Sequence, residues 1–299
     1  MNIASVIVTC NRLNLLKACV NAVSNQTSKP DEIIVVNNGS TDGTTEWLDS
    51  QTDLVVVHQA NLGGAGGFHT GIKTAHEKGH DWIWVMDDDA EPEIHCLENL
   101  ISVGLNKNYT YGAVSLDPIT KKLCWRIPIK DKHNGKIKYI EELEQIPDKT
   151  LEIYGGPGLL GSLFHRQVVE LVGYPNPDLF IRGDEIEFGL RVQKAGFKSL
   201  FVKDALIYHP TPNNYKPIVI LGRKTYYSYE APWKAFYNNR NLIYILVHVE
   251  RNLKAALRRS VFILGTLLFE DQKLTRIPLY IRAIKDGFQG RLGKTIAPP

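Results

Sequence analysis

Four short apolar runs in the first 90 residues, each closing on a polar or glycine turn that leads into an amphipathic stretch, constrain this chain more than any other feature. Residues 5–9, 32–36, 54–58 and 82–86 are rich in Val, Ile and Trp and read as strands. After the first, Leu15, Leu16, Cys19, Val20 and Val23 recur at helical spacing, and after the second a short helix starts over residues 42–48. Near-continuous apolar strands need cover on both faces, so their alternation with helices predicts an α/β fold with a mixed, mainly parallel, Rossmann-like sheet. Ligands of such sheets bind beyond the carboxyl ends of the strands. The segments that matter are therefore 9–12, 37–40, 61–68 and 87–89.

Composition agrees with a globular chain: 299 residues with 43% hydrophobic and 22% charged side chains exclude disorder, collagen and small disulfide scaffolds. A chain this long buries a core without metal or disulfide staples. The net charge of +3 predicts no nucleic-acid partner. It is unevenly spread, because residues 251–299 hold ten Lys or Arg against three Asp or Glu, a balance of +7 that leaves about −4 for the rest. Cys10, Cys19, Cys96 and Cys124 form no CxxC pair, which fits free thiols in a reducing compartment and predicts a cytoplasmic protein. Neither a signal peptide nor a spanning helix is expected, since no basic region precedes the first apolar run and no stretch of about 18 uncharged apolar residues occurs.

Further along, the pattern weakens over residues 116–148, where an Asn134-Gly135 turn between 121–127 and 136–140 predicts an inserted polar hairpin. A second ordered block spans 154–209, with Gly155-Gly156-Pro157-Gly158, a helix over 184–194 and a strand over 205–209. After a loop at 210–217 the chain turns aromatic and basic, with helices near 233–248 and 253–269. These shifts divide the chain into an α/β domain, 1–230, and a basic, amphipathic helical extension, 231–299.

Asp87-Asp88-Asp89 directly follows an apolar strand, and three carboxylates there repel one another unless a cation sits among them. In extended backbone Asp87 and Asp89 share a face suited to Mg²⁺ or Mn²⁺ bridging a diphosphate, while Asp88 turns away; a solvated acidic turn is the alternative. Gly63, Gly64, Gly66 and Gly67 imply a backbone closely approached by a ligand or by another strand, as against a merely flexible loop. The dinucleotide fingerprint is broken by His69, and no Walker lysine follows, which disfavours a nucleotide-binding oxidoreductase. Asp184 and Glu185 open a helix after Gly183, where they either cap it or supply a general base. His209 closes an apolar strand and is either structural or completes a carboxylate-held metal site.

In this order the motifs resemble the inverting glycosyltransferases of family 2, which share the GT-A nucleotide-sugar fold. The resemblance covers residues 3–209 and rests on Thr9-Cys10-Asn11-Arg12, Asn37-Asn38-Gly39-Ser40-Thr41-Asp42, the Asp-x-Asp of Asp87 and Asp89, the acidic run 184–187, and His209. It implies nucleotide-sugar binding by Thr9, Asn11, Arg12, Asn37, Asn38, Asn61, Gly64, Gly66, Gly67, Asp87 and Asp88, and metal binding by Asp87, Asp89 and His209. It further implies a base at Glu185, with Asp184 second. Asn37 stands where most relatives carry Asp, and Glu185 is one methylene longer than the usual base. The run Asn-Leu-Gly-Gly-Ala-Gly-Gly-Phe with a triple Asp is similar to bacterial galactofuranosyltransferases, whose donor is UDP-galactofuranose. Rhamnosyltransferases with a dTDP-sugar donor share much of this, including the Tyr-x-x-Arg-Asn segment at 237–241.

The resemblance implies single displacement at the anomeric carbon, with the metal neutralising the leaving diphosphate and the base deprotonating an acceptor hydroxyl. Trp82 and Trp84 are core residues or, alternatively, sugar-stacking ones. Arg251, Lys254, Arg258 and Arg259 beside apolar 261–264 and 267–269 predict a helix that lies on an anionic membrane surface or packs on the catalytic domain. With the resemblance, this implies a peripheral enzyme at the inner face of the cell membrane, acting on a glycan acceptor linked to polyprenyl diphosphate. A non-catalytic sugar- or lipid-binding module is the remaining alternative.

Overall fold

Val and Ile fill β1 (Ile3–Thr9) so completely that all seven residues are buried, which fixes it at the centre of a sheet. A computed structural model describes residues 1–131, 134–211, 215–220 and 223–296. The first half alternates as expected: α1 (Leu13–Ser24), β2 (Glu32–Asn38), α2 (Thr44–Asp49), β3 (Val55–Gln59), α3 (Gly63–Glu77) and β4 (Trp82–Asp87). Next come β5 (Glu91–Pro92), α4 (Cys96–Ser102), β6 (Tyr109–Leu116), β7 (Ile127–Lys130), β8 (Ile137–Ile140), β9 (Thr150–Glu152) and β10 (Ser162–His165). The remainder is α5 (Gln167–Val172), α6 (Asp184–Lys194), β11 (Lys198–Tyr208), β12 (Tyr215–Ile220), β13 (Arg223–Ser228), α7 (Pro232–Tyr244), α8 (Leu253–Thr266) and α9 (Lys273–Gln289).

The main sheet has nine strands in the order β3-β2-β1-β4-β10-β6-β11-β5, with β9 also on β11. It is parallel from β3 to β4, β10 runs antiparallel between β4 and β6, and β11 is parallel to β6. In register, Thr9 lies opposite Asn37 and Val8 opposite Asp87, so the turns after β1, β2 and β4 open at one edge. Apolar clusters cover both faces, one centred on Ile7, Leu16 and Trp84, the other on Val6, Phe68 and Phe188. Trp82 and Trp84 belong to the first cluster, and Trp84 is fully buried, so both are core residues.

Three regions differ from the sequence reading. The 116–148 segment does form a hairpin, β7 on β8, but it is not simply polar: Ile127 and Ile146 pack with Val114, Leu116 and Ile153 into a cluster of their own. The expected 210–217 loop ends early, because Tyr215 begins β12, which pairs with β13; residues 212–214 lie outside the described residues. The final strand is also longer than expected, since β11 starts at Lys198 and passes a register shift between Val202 and Leu206.

The C-terminal extension is helical. Helix α7 buries Phe236, Tyr237, Arg240 and Asn241, and its Tyr237 packs with Phe180 and with Ala283 of α9. Among the described residues, no helix is long and apolar enough to cross a membrane.

Candidate active site

The end of β4 is the most charged point of the sheet edge. Asp87 and Asp89 line an open cleft of about 1020 Å³, whereas Asp88 turns inward and is 3% exposed. Asp88 accepts a 2.7 Å hydrogen bond from the Thr9 hydroxyl, and Arg12 Nη1 bridges Asp88 and Asp89 at 3.1 and 2.7 Å. Thr9 is therefore a strut under the acidic turn and does not line the cleft. Burial, with the charges of Asp89 and Asp88 beside it, pushes the Asp87 carboxyl up to about 7. His209 faces Asp89 from the end of β11, with Nε2 at 3.3 Å from Oδ1. Burial alone would lower the His209 pKa, but its contacts with Asp89 and Cys124 and the Asp87 charge carry it up to about 10.

A second acidic pair joins the cleft lining after Gly183, whose φ of +80° is a left-handed conformation suited to glycine and lets the chain turn into α6. Asp184 is buried, while Glu185 is partly exposed, and both line the cleft. Burial, together with the charge of Glu185 and a hydrogen bond to it, holds Asp184 well above the ordinary carboxylate range. Of the two acids, Asp184 is the one whose proton is held more tightly than in an ordinary carboxyl. Glu187 is taken up by Arg191, at 2.6 Å.

The loop before this turn is held by α7, a relationship that sequence reasoning missed. Phe180 and Arg182 both have φ of +67°, a strained region for side-chain-bearing residues. Asn241 Nδ2 donates to the carbonyls of Leu179, Ile181 and Arg182 at 2.9, 2.9 and 2.7 Å. Arg240 donates to the Leu179 and Gly293 carbonyls at 3.0 and 2.7 Å. The Phe180 carbonyl in turn accepts from the Ala65 N–H, so this loop also touches the glycine-rich start of α3.

Several residues expected to face a nucleotide are committed to the scaffold. Asn37 is buried, donating to Thr45 Oγ1 at 2.8 Å and accepting from Ser40 N–H at 3.1 Å. Asn38 lines the cleft but joins β2 to α3, accepting from Leu62 N–H at 3.0 Å and donating to the Gly63 carbonyl at 2.9 Å. Asn11, at φ +56°, accepts from the Thr41 N–H at 2.6 Å and fixes the β2–α2 turn. Arg12, Asn61 and Gly64 line the cleft; a Cβ on Gly64 would meet nothing within 4 Å. Gly67 serves the other purpose considered for the glycines, since a Cβ there would lie 2.3 Å from Val8 Cγ1 of the central strand. A Cβ on Gly66 would lie 2.4 Å from Leu62 Cβ.

Distant segments add what no motif announced. Trp125, from the hairpin insertion, lines the cleft with its ring centroid 5.0 Å from that of His209. Trp233, Lys234 and Arg259 line it from the C-terminal helices. A tryptophan in an otherwise polar insertion was the one available signal for Trp125.

The donor set of Asp87, Asp89 and His209 suits a hard divalent cation. Among the described residues, His209 Nδ1 is buried with no hydrogen-bond partner, and Asp89 Oδ1 has only the 3.3 Å contact with His209 Nε2, so both atoms have capacity left for a ligand. These side chains share one wall, although among the described residues no three His, Cys, Asp or Glu side chains already converge as a ligand shell.

A mixed, mainly parallel sheet with an acidic strand end and a helical C-terminal region is a GT-A-like architecture. The chain belongs to glycosyl transferase family 2, whose model matches residues 5–156, and it is a glycosyltransferase. It is 31% identical over 255 residues to the galactofuranosyltransferase GlfT1 of Mycolicibacterium smegmatis, covering 82% of each chain. It is 28% identical to the dTDP-rhamnosyl transferase RfbF of Shigella flexneri, over 98% of this chain and 97% of that one. Its fold is also similar to that of the mannosyltransferase PcManGT from Pyrobaculum calidifontis, solved with GDP-Man and Mn²⁺, with a TM-score of 0.54 at 14% identity over 97% of this chain and 88% of that one.

Proposed function

We propose that the enzyme transfers galactofuranose from UDP-galactofuranose to a lipid-linked glycan acceptor, with inversion at the anomeric carbon and with a divalent metal. The observation that carries this reading is that Asp87 and Asp89 at one strand end line the same cleft as Asp184 and Glu185 at a helix start. Donor identity is supported by the likeness to the mycobacterial galactofuranosyltransferase.

Asp87, Asp89 and His209 would hold Mn²⁺ or Mg²⁺, which when bound neutralises the charge of the leaving diphosphate. Arg12 adds a fixed positive charge beside the same acids. Gly64 leaves room for the donor to approach the start of α3. Glu185 accepts the proton of the acceptor hydroxyl as it attacks, and Asp184 keeps its own proton and steadies the Glu185 carboxylate by hydrogen bonding. Trp125 offers the sugar an apolar face next to His209.

In this reading residues 1–230 are the catalytic unit and 231–299 bring it to the inner face of an anionic membrane. The support is chemical: Leu253, Leu257, Val261 and Leu264 are exposed along α8, with Arg251, Lys254 and Arg258 exposed beside them.

A dTDP-rhamnose donor is the second reading, favoured by the near full-length match to a rhamnosyl transferase. The test is to supply each donor with a lipid-linked glycan extract and Mn²⁺ and to measure nucleotide release with the anomeric configuration of the product. UDP release with inverted galactofuranose supports the first reading, and dTDP release alone supports the second.

A further inference from the structure

Among the described residues, two arginines of the C-terminal region, Arg240 and Arg276, are fully buried and partnered, whereas the half-buried Arg259 is not. Arg276 meets Glu270 at 3.1 Å and donates to the Glu230 carbonyl at 2.9 Å, while Arg240 is spent on loop carbonyls. Arg259 lines the cleft from α8, and its Nε is buried with no hydrogen-bond partner among the described residues. Burial lowers its pKa, and no carboxylate acts against that effect. Its one described contact is the Phe262 ring, 4.9 Å from the guanidinium carbon. Leaving a cation unpaired in a protein wall is costly unless an anion arrives to meet it.

Each acid there has an arginine of its own: Glu270 meets Arg276 and Tyr280, and Glu230 pairs with Arg182 through Oε1, while its Oε2 is buried with no hydrogen-bond partner among the described residues. With those two pairs formed, Arg259 and Lys234 are the cations left over there. Lys234 also lines the cleft, lies 5.4 Å from the Trp233 ring centroid, and has no ion pair among the described residues. The helix itself is two-sided. Arg259, Phe262, Ile263 and Thr266 face the cleft at helical spacing, whereas Leu253, Leu257, Val261 and Leu264 are exposed to solvent. Helix α9 adds Leu274, Ile277 and Ile281, all exposed.

We infer that Arg259, with Lys234, is an anion subsite for a phosphate or diphosphate group of the acceptor, separate from the donor diphosphate at Asp87 and Asp89. Guanidinium forks match phosphate oxygens in bidentate geometry, and a lysine adds a point charge. The exposed apolar side of α8 lies one helix width from that subsite, so the best-matched ligand is an anion that carries an apolar chain. A free diphosphate offers the same head-group chemistry. This inference rests on the glycosyltransferase reading above and deepens it on the acceptor side.

The test titrates farnesyl diphosphate calorimetrically into the full chain saturated with UDP and Mn²⁺, so that the donor site is filled. Inorganic pyrophosphate and farnesol are separate arms. Farnesyl diphosphate is expected to bind, and Arg259→Gln is expected to weaken it at least tenfold with UDP affinity unchanged. Farnesol is expected to show no dependence on Arg259. Tighter binding of farnesyl diphosphate than of pyrophosphate supports a lipid-linked source, and equal Arg259-dependent binding supports the subsite with a free diphosphate as its ligand. Absence of saturable binding by both anions, or equal binding by Arg259→Gln, overturns the inference. If that variant does not fold, Arg259→Lys decides: it keeps the charge but loses the fork, so a several-fold weakening is expected and no change overturns the inference. Failure of the wild type to bind UDP would instead count against the glycosyltransferase mechanism, which separates the two claims.

Discussion

Asn241 donates its side-chain amide to the Arg182 carbonyl at 2.7 Å, one residue before the glycine that turns the chain into the acidic helix. The same amide holds Leu179 and Ile181, so a helix some sixty residues downstream sets where Asp184 and Glu185 stand. Asn241→Ala takes the side-chain donor from the Ile181 and Arg182 carbonyls, while the Leu179 carbonyl keeps Arg240, at a cost of about 1–3 kcal/mol for a buried unsatisfied group. Thermal unfolding is expected to show that loss. Transfer kinetics should show kcat reduced at least tenfold with UDP affinity kept. A variant whose kcat is unchanged would sever α7 from the base.

The two acids at the start of α6 should separate in their roles. Glu185→Gln is expected to cost roughly 10²–10⁴-fold in kcat, the usual worth of a general base, without weakening UDP binding. Steady-state kinetics beside calorimetry check this, and a larger loss in Asp184→Asn than in Glu185→Gln would reverse the assignment.

Asp184 also predicts the slope of stability with pH. Its pKa in the folded protein is raised by burial and by Glu185, so between its ordinary and raised values the folded state binds more protons than the unfolded one. Its stabilising contribution is therefore complete below the ordinary carboxylate range, near pH 4, and is lost as pH rises through the raised value. Urea unfolding across that interval should show wild-type stability falling relative to Asp184→Asn. Parallel curves would contradict the buried, protonated state.

Gly67 tests packing without touching chemistry. Gly67→Ala puts a methyl 2.3 Å from Val8 Cγ1, and overpacking of this kind costs about 1–3 kcal/mol. A lower melting temperature with metal-dependent UDP binding retained is expected. A fully stable variant would mean that α3 is free to move off the sheet.

How much of this was legible in the sequence depended on the range of the interactions involved. Strands β1, β2 and β4 declared themselves because buried parallel strands are apolar on both faces, and α6 was bounded by a glycine turn at its start. The β12–β13 hairpin did not, because Pro217 and interleaved Lys and Tyr blur a period-two pattern. Asn37 and Asn38 carry a motif that resembles nucleotide contacts, yet their amides tie turns together, and only tertiary structure says which use a carboxamide has. The glycine run admitted either a ligand or a strand, and the structure has room for both: open space at Gly64, a strand at Gly67. Trp125 meets His209 across 84 positions of sequence, and Arg240 and Asn241 reach back about sixty residues, distances over which local pattern carries no information.

Metal dependence should be lost with one carboxylate. Asp89→Ala is expected to abolish the Mn²⁺-dependent part of UDP binding, as chelation with EDTA should for the wild type. Retention of the full metal effect in that variant would exclude Asp89 as a ligand.

The central claim is that this cleft takes a UDP-sugar together with a divalent metal. Its most direct measurement is the melting temperature of the purified chain with UDP, UDP-galactofuranose and dTDP, each with and without Mn²⁺, because a ligand that binds only the native state raises the melting point by mass action. The account predicts a Mn²⁺-dependent rise with UDP and with UDP-galactofuranose that exceeds the rise with dTDP. A rise with dTDP alone, or none with any of the three, would contradict it.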